Sequence, residues 1–332
     1  MNPASAAFTR RERKVLELVH PSAGGESDRP PTRPSEGSGD RFSQRPGAII
    51  GERYRLDRLL AESGMARVWA ATHTITERQV AIKIPLEWMP SNLQSLILSE
   101  ARTTSAVNHP SVVQIYDAFE LKDGTPIMIM ELLRGETLGG LLARNGTLPL
   151  CEAARILVPV VSAVVKAHAL GIIHRDLKPD NVFLAEIEGR TIVKLLDFGI
   201  AKTLSNAEET TVPMNDLMVG TPRYMSPEQL FGEVGLDRRV DIWAMGALLY
   251  EVLTGRWPVE GDNIAQITER LLVDVIPPIG AVGPELPRDV QLLVDGMLVR
   301  DRARRLADLR EAEDVLSAYC DTNSSRFGAR SA

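Results

Sequence analysis

The 332-residue sequence contains only two cysteines, Cys151 and Cys320. Two cysteines are too few for a disulfide framework or a cysteine-based zinc cluster, and they are typical of a chain in a reducing compartment. Long apolar runs are also lacking, since the longest, residues 156–165, is interrupted by Pro159 and Ser162. A helix that crosses a bilayer needs about 20 apolar residues. The sequence therefore predicts no membrane span and a cytoplasmic location.

The chain has no excess of positive charge, because 38 Lys and Arg face 44 Asp and Glu, for a net charge of −6. This balance argues against nucleic acid and anionic membranes as partners. The N-terminal residues, MNPASAAFTRRERK, lack the apolar core of a secretory signal. The apolar content of 44% is that of an ordinary globular protein. Such a chain is long enough for a large domain or for two lobes with their own cores.

The first part of the chain is poor in residues that form a core. Residues 21–47 are crowded with proline, glycine, serine and charge, and Phe42 is their only large apolar residue. Such a segment cannot bury enough surface to offset the entropy of ordering it. We therefore predict a disordered tail over residues 1–50, a folded domain over residues 51–320 and a C-terminal tail over residues 321–332.

The first half of the folded region is predicted to be rich in strands. Apolar and polar residues alternate there in short runs, as in half-buried strands. These runs are residues 54–71, 79–85, 112–120 and 126–131. Ser91 and Gln94 form a capping-box pattern, which predicts a helix that carries Leu93, Leu96, Ile97 and Glu100 on one face.

The second half of the folded region is predicted to be helical. Its helical segments are residues 152–170, 240–254, 263–273, 287–299 and 309–320. One predicted strand pair, residues 182–184 and 192–196, lies between the first two helices. The sequence therefore predicts an α+β fold with a small β-rich lobe over residues 51–133 and a larger helical lobe over residues 134–320. A cleft between two lobes is a usual place for a ligand.

The most informative stretch is residues 174–181, HRDLKPDN, which place a carboxylate, an ammonium and an amide within six residues. Sixteen residues past Asn181 comes Asp197, which follows the second strand of the predicted pair. If these strands form an antiparallel hairpin, Asn181 and Asp197 lie side by side as hard oxygen ligands, which are typical of a Mg²⁺ site. Asp176 is then placed to accept a proton from a hydroxyl, and Lys178 to neutralise a phosphoryl group in transfer.

Taken together, these motifs resemble those of the eukaryotic-like (Hanks-type) serine/threonine protein kinases of bacteria. The resemblance covers about residues 54–319. The matching motifs, in chain order, are Val80-Ala81-Ile82-Lys83, Glu100, His174 to Asn181, Asp197-Phe198-Gly199, Gly220 to Glu228, Asp241 and Arg305. The resemblance implies a two-lobed protein-kinase fold, ATP and Mg²⁺ as cofactors, and protein Ser or Thr as the phosphate acceptor.

The resemblance also implies roles for the matching residues. Lys83 is expected to bind the α- and β-phosphates and to pair with Glu100. Asp176 is the expected catalytic base, and Asn181 and Asp197 are the expected metal ligands. The nucleotide is expected to contact a further set of residues: Leu60, Ala61, Ser63, Gly64, Ala66, Val68, Ala81, Met130, Glu131, Leu133 and Phe183.

Two further residues of the HRDLKPDN stretch refine this reading. Lys178 followed by Pro179 is similar to the serine/threonine kinases, whereas tyrosine kinases carry a different pattern there. His174 is predicted to bond the backbone near Asp197 and so to support the site rather than to react. The expected partners are ATP and protein substrates that carry Ser or Thr, and self-association of kinase molecules is left open.

Arg175, beside the expected base, predicts a form of regulation. An arginine in this position requires an anion, and a phosphorylated residue in the following loop would supply one. We therefore expect autophosphorylation in that loop. The candidates, with the first two preferred because they follow two acidic residues, are Thr210, Thr211, Thr203 and Ser205. The alternative is that these residues only solvate a mobile loop.

The loop expected to cover the phosphates departs from the family pattern G-x-G-x-x-G. Residues 61–68, AESGMARV, carry Ala61, Ser63 and Ala66 at the three glycine positions, and only Gly64 remains nearby. Glycine allows backbone amides to approach phosphates closely and tolerates positive φ. Another residue at positive φ costs on the order of 1–2 kcal/mol. We therefore expect weaker ATP affinity or slower turnover.

This departure supports an alternative from another class, a pseudokinase or binding scaffold with an impaired phosphate loop. The complete set of metal-binding and proton-accepting residues argues against a scaffold, which has no physical need for them. A kinase-like phosphotransferase for small molecules is a third hypothesis. It is disfavoured by residues 220–228, which resemble a platform for protein substrates. The sequence therefore predicts an active, ATP-dependent protein serine/threonine kinase.

Overall fold

The computed structural model describes residues 44–86, 89–90, 94–198 and 222–320. Both predicted tails lie almost entirely outside these ranges. Ser91 of the predicted capping box lies outside them too, as do the four candidate phosphorylation sites within residues 199–221. The described residues form a β-rich N-terminal lobe and a mainly helical C-terminal lobe, so the predicted α+β, two-lobed fold is confirmed.

The N-terminal lobe is built on a six-stranded antiparallel sheet in the order β1-β2-β3-β4-β6-β5. Its strands are β1 (Ile49–Ile50), β2 (Tyr54–Glu62), β3 (Ala66–His73), β4 (Gln79–Pro85), β5 (Ile115–Glu120) and β6 (Pro126–Glu131). β5 begins at Ile115 rather than at the predicted Val112. Ile50 in β1, one residue before the predicted domain boundary at residue 51, is fully buried.

Side-chain alternation along β4 assigns its residues to two environments. Ile82 and Ile84 enter a core on the outer face of the sheet. Ala81 lies on the opposite face, where helix α1 (Leu96–Ala106) packs against the sheet with Ile97 buried. Lys83 is two residues from Ala81, so the alternation turns its side chain to the α1 face as well.

The C-terminal lobe is mainly helical. Its helices are α2 (Leu138–Asn145), α3 (Leu150–Ala169), α4 (Pro227–Leu230), α5 (Arg239–Thr254), α6 (Ile264–Val273), α7 (Ile279–Val282), α8 (Arg288–Met297) and α9 (Arg310–Ser317). In α5, every residue from Val240 to Leu253 except Glu251 is buried, as expected of a helix that is apolar all round. α5 ends at Thr254, as predicted, and is followed by Gly255, whose left-handed φ of 68° closes the helix. Among the described residues, no helix combines the length and apolarity needed to cross a bilayer.

The predicted hairpin at the start of the C-terminal lobe is confirmed. β8 (Val182–Ile187) pairs antiparallel with β9 (Arg190–Leu195), with Val182 opposite Leu195. The short strand β7 (Gly135–Thr137) extends this sheet, and it was not predicted. Helix α2 was not predicted either. Its first turn depends on the Thr137 hydroxyl, which accepts a hydrogen bond from the Gly140 amide at 3.1 Å.

Backbone and side-chain contacts connect the two lobes beside the hairpin. The Leu195 amide donates to the Ser111 carbonyl at 2.7 Å, and the Val113 amide donates to the Leu195 carbonyl at 3.0 Å. Lys194 Nζ lies 2.7 Å from Glu131 Oε1, and both side chains are nearly buried. These contacts fix the end of β9 against the N-terminal lobe, and the residues that follow β9 therefore face the cleft.

A substitution at Gly246 of α5 tests how tightly α5 and α8 pack. A Cβ added there would lie 2.7 Å from the Cβ of Met297. We expect Gly246→Ala to lower the free energy of unfolding by about 1–3 kcal/mol, because a close-packed core resists an extra methyl group. Urea titration with circular dichroism measures this change.

Gly296→Ala, in α8, is the matched control. Apart from its chain neighbours and the nearby backbone of its own helix, a Cβ added there meets no atom of the described residues within 4 Å. The variant should be neutral or more stable by up to about 1 kcal/mol, because alanine has the higher helix propensity. Equal losses in the two variants would contradict the tight contact at Gly246.

Candidate active site

Three side chains from three separate elements meet in the cleft. Lys83 Nζ, from β4, lies 2.8 Å from Glu100 Oε1, from α1, and these side chains are only 11% and 12% exposed. The same ammonium lies 3.0 Å from Oδ2 of Asp197, which follows β9. The predicted pairing of Lys83 with Glu100 is therefore confirmed, and the ammonium also connects the N-terminal lobe to the C-terminal lobe.

The electrostatics of these three groups are coupled. Burial opposes the charge of Lys83, but the carboxylates of Asp197 and Glu100 outweigh it and raise the pKa of the ammonium. Burial also opposes ionisation of Asp197, yet Lys83 lowers the pKa of that carboxyl. Burial raises the pKa of Glu100 to about 8, with Lys83 opposing this shift and Asp197 adding to it. Near neutral pH, Glu100 therefore carries a proton that it shares with Asp197.

The residues of the HRDLKPDN stretch, here called the HRD loop (residues 174–181), converge on Asp176. Lys178 Nζ lies 3.1 Å from Asp176 Oδ2. Asn181 Nδ2 donates to the backbone carbonyl of Asp176 at 2.7 Å and to its Oδ2 at 3.2 Å. Because these two bonds use the amide nitrogen, the side-chain oxygen of Asn181 is the atom that would bind a metal ion.

The hairpin brings the backbone of Asn181 next to that of Leu196, which directly precedes Asp197. The Leu196 amide donates to the Asn181 carbonyl at 2.8 Å, which holds the residues before β8 and after β9 together. Asp197 has a φ of 31° and Arg175 a φ of 65°, both unusual for residues other than glycine. Such backbone conformations are unfavourable by about 1–3 kcal/mol each and persist where the surroundings hold them in place.

Asp241 supplies much of that restraint on the HRD loop. This residue is fully buried in the first turn of α5. Its Oδ2 accepts a hydrogen bond from the His174 amide at 2.8 Å, and its Oδ1 accepts one from the Arg175 amide at 2.7 Å. His168 Nε2 lies 2.7 Å from Oδ2. No role was predicted for Asp241, although a carboxylate inside an apolar helix indicates a buried polar contact.

His174 supports the site, as predicted. Its Nε2 lies 3.1 Å from the backbone oxygen of Leu196, directly before Asp197. Its ring packs against Phe198, with 4.7 Å between the ring centroids. Burial lowers the pKa of His174, so the ring stays neutral at physiological pH. A neutral, fully enclosed imidazole fixes the backbone before Asp197 without taking part in proton transfer.

Six of the eleven further residues predicted to contact the nucleotide pack together on the cleft side of the N-terminal sheet. Members of this apolar cluster that the sequence predicted are Leu60, Ala66, Val68, Ala81, Met130 and Leu133. Phe183 is half-buried on β8, where it pairs with Thr137 and Lys194. Leu196 joins the same cluster from the C-terminal lobe, and the sequence analysis missed it. Its position directly before Asp197 is the signal that identifies it.

The backbone of the phosphate loop (residues 61–66) does not show the strain expected from the missing glycines. None of these six described residues has a positive φ, so Ala61, Ser63 and Ala66 adopt conformations open to any residue. The expected strain from the missing glycines is therefore wrong for this conformation. The Ser63 hydroxyl instead accepts hydrogen bonds from the Met65 amide at 3.4 Å and from the Ala66 amide at 3.1 Å. The hydroxyl thus occupies backbone donors that a phosphate could use.

The segment that resembles a protein-substrate platform is anchored to the core by a buried ion pair. Glu228 of α4 accepts two hydrogen bonds from Arg305, at 2.7 and 2.9 Å, and both side chains are almost completely buried. Gln229 Nε2 donates to the backbone carbonyl of Arg175 at 3.2 Å. The platform is therefore joined directly to the HRD loop. Glu228 and Arg305 belong to the motif set, but the sequence alone did not show that they pair.

Comparison with known proteins agrees with this geometry. A family model described as protein kinase domain matches residues 54–318. This match covers most of the chain, which therefore belongs to the protein kinase family. The family predicted from the motifs is confirmed.

The relatives are bacterial proteins with serine/threonine-kinase names. The probable serine/threonine-protein kinase PknB of Bifidobacterium longum is 34% identical over 284 residues, which are 82% of this chain and 40% of that protein. PknA of Mycobacterium tuberculosis is 35% identical over 283 residues, 83% of this chain and 63% of the relative. PrkC of Bacillus subtilis is 34% identical over 277 residues, 82% of this chain and 41% of the relative. The chain thus spans between 40% and 63% of the length of these relatives.

The shared proton of Glu100 predicts a pH dependence of stability. The pKa of Glu100 is about 8 in the folded chain against an ordinary value of 4.5. The stabilisation from this proton is complete below about pH 4.5 and is lost as the pH rises through about 8. Because glutamine cannot ionise, Glu100→Gln should remove this loss. Between about pH 5 and about pH 8, the wild type should lose on the order of 1–2 kcal/mol more stability than the variant.

Thermal unfolding in metal-free buffer measures this difference. Glu269→Gln, which changes an exposed glutamate, is the matched control and should follow the wild type. If Glu100→Gln and Glu269→Gln showed the same pH dependence, Glu100 would not hold a proton in the folded chain.

Proposed function

We propose that this chain transfers the γ-phosphoryl group of ATP to serine or threonine hydroxyls of protein substrates. The observation that carries the proposal is the position of Lys83 Nζ, 2.8 Å from Glu100 and 3.0 Å from Asp197 across the cleft. An ammonium held in this way is suited to bind phosphate oxygens. The relatives whose alignments cover more than 80% of this chain carry serine/threonine-protein kinase names, which supports the same reaction.

The residues present fit a magnesium–nucleotide. Asn181, before β8, and Asp197, after β9, each offer a hard oxygen atom, and Lys83, 3.0 Å from Asp197, adds a positive charge for the phosphates. Among the described residues there is no group of three or more His, Cys, Asp or Glu that could hold a metal by itself. Mg²⁺ commonly binds through one or two protein oxygens together with substrate phosphates and water, which matches this donor set. When bound, Mg²⁺ would neutralise charge on the phosphates.

The chain's own residues then perform three tasks. Glu100 holds Lys83 in place so that the ammonium orients the α- and β-phosphates. Asp176, whose side chain is 18% exposed, orients the substrate hydroxyl and accepts its proton. The bond between the γ-phosphorus and the oxygen of ADP breaks while the hydroxyl oxygen bonds to that phosphorus. Lys178, 3.1 Å from Asp176, adds positive charge beside the transferred group.

The proposal includes regulation by phosphorylation. Asp241 and Gln229 hold the backbone of Arg175 in place, beside the expected base. A phosphate in residues 199–221 would supply an anion for this arginine. Phosphorylation at Thr210 or Thr211, and otherwise at Thr203 or Ser205, stays a prediction. The proposal also includes a cytoplasmic site of action, and self-association stays a prediction as well.

A transfer assay with radiolabelled ATP, Mg²⁺ and a generic protein substrate tests the activity. Asp176→Asn and Lys83→Met should each lower kcat by about 10²–10⁴-fold, because one removes the proton acceptor and the other the phosphate-binding charge. Lys122→Met is the matched control for the second variant, since its side chain is 92% exposed.

Lys122→Met should retain the wild-type rate, and thermal unfolding should show that all variants are folded. Equal label transfer by the wild type, Asp176→Asn and Lys83→Met would overturn the proposal. ATP binding without transfer by the wild type would instead support the pseudokinase alternative.

The hydrogen bonds of the Ser63 hydroxyl predict that its removal lowers the KM for ATP. Ser63→Ala removes the acceptor that holds the Met65 and Ala66 amides, so both can donate to phosphate oxygens. We expect the KM for ATP to fall by roughly three- to tenfold, the equivalent of about one hydrogen bond. Ser105→Ala, an exposed position on α1, is the control. An unchanged or higher KM in Ser63→Ala would show that the hydroxyl does not compete with ATP.

A further inference from the structure

The C-terminal lobe contains a cavity that none of the predicted nucleotide-site residues lines. It has a volume of about 460 Å³ and lies where the end of α3, the start of α5 and the segment between α8 and α9 meet. Its apolar walls are formed by Ile172, Ile173, Leu236, Ala303 and Ala307. Small-molecule sites commonly have volumes of about 300–1,000 Å³, apolar walls and a few polar groups. This cavity has those properties.

Two of the charged residues at the cavity are already paired. Arg239 binds Asp237 with its Nη2 2.5 Å from Oδ2 and its Nε 2.9 Å from Oδ1. The Arg305 guanidinium is committed to Glu228. Because their charges are satisfied inside the protein, these side chains shape the cavity without setting the charge of a ligand.

Arg238 differs from its two neighbours. Its side chain is 48% exposed, and its Nε donates to the backbone carbonyl of Ala307 at 3.0 Å. Its ion-pair contact among the described residues, with Asp308 Oδ2, is long at 3.9 Å. That carboxylate already binds Arg310 at 2.7 Å. The guanidinium of Arg238 therefore places a weakly compensated positive charge at the rim of an apolar cavity.

The cavity is connected to the HRD loop through short contacts. Ile173, in its wall, directly precedes His174 in the chain. His168, also in the wall, lies 2.7 Å from Asp241 Oδ2. The same carboxylate accepts the backbone hydrogen bonds of His174 and Arg175. A molecule that immobilises this wall therefore acts on the groups that hold the HRD loop.

We propose that this cavity binds a small amphipathic anion, with its apolar body against Ile172 and Ile173 and its carboxylate, sulfonate or phosphate group at Arg238. Binding immobilises His168 and Ile173 and so stabilises the HRD loop through Asp241. The effect on catalysis rests on the proposed kinase function. The binding and the stabilisation of the loop do not.

Two fluorescent probes of related shape test the site in the full chain, with the nucleotide cleft saturated by Mg²⁺ and ADP. One is the anionic 8-anilinonaphthalene-1-sulfonate, and the other is its neutral analogue N-phenyl-1-naphthylamine. Ala303→Trp fills the cavity and should weaken binding of both probes by at least about tenfold. Arg238→Gln should weaken binding of the sulfonate alone, by roughly five- to tenfold, because it removes only the charge.

Matched variants outside the cavity complete the test. Ala318→Trp and Arg102→Gln change exposed residues elsewhere and should stay within about twofold of the wild type. Thermal unfolding verifies that each variant is folded. Wild-type affinity of Ala303→Trp for both probes would overturn the site. An equal loss of the two probes in Arg238→Gln would overturn the role of the charge.

Hydrogen–deuterium exchange tests the connection to the HRD loop without measuring phosphoryl transfer. The reporters are the amides of His174 and Arg175, which donate to Asp241. A saturating concentration of 8-anilinonaphthalene-1-sulfonate should slow the exchange of these two amides by at least about threefold in the wild type. It should leave their exchange unchanged in Ala303→Trp. Unchanged exchange in the saturated wild type would overturn the connection. A kinase-inactive chain could still pass both tests, so this proposal and the kinase proposal fail separately.

Discussion

The buried ammonium of Lys83 is the constraint on which the arrangement of the cleft depends. An ammonium removed from water is unfavourable by several kcal/mol unless partners that carry negative charge or accept its hydrogen bonds surround it. Glu100 and Asp197 provide them, and they come from different lobes. The need to pair one charge therefore positions α1 against the N-terminal sheet and brings the residue after β9 to the same point. Nucleotide and metal would enter a site whose positive charge is already in place.

A second buried side chain, that of Asp241, holds the HRD loop in place, as Lys83 holds the groups of the cleft. Asp241 accepts the amides of His174 and Arg175 from inside an otherwise apolar helix. Removing that carboxylate would leave two buried donors unsatisfied and would release the unfavourable φ of Arg175. The loop that carries Asp176 is thus held by the buried helix α5, which explains how a loop can present a base in a fixed position.

The sequence predicted the lobes, the hairpin and the Lys83–Glu100 pair because each depends on local periodicity or on a short motif. The contacts of Asp241 and Lys194 were missed because their partners lie far away in the chain and no local pattern identifies those partners. Asp241 meets its partners across 66 or more residues, and Lys194 meets Glu131 across 63. The error in the phosphate loop has another cause. Glycine in a motif was taken to require positive φ, whereas the Ser63 hydroxyl stabilises a turn with ordinary φ values.

The kinase interpretation requires that Mg²⁺ and a triphosphate occupy the space between Lys83, Asn181 and Asp197. A crystal structure with Mg²⁺ and a non-hydrolysable ATP analogue addresses this requirement directly. We predict that the Asn181 side-chain oxygen and the Asp197 carboxylate bind the metal, while Lys83 keeps Glu100 and contacts the phosphates. A nucleotide bound elsewhere, or a metal that touches neither Asn181 nor Asp197, would contradict the interpretation.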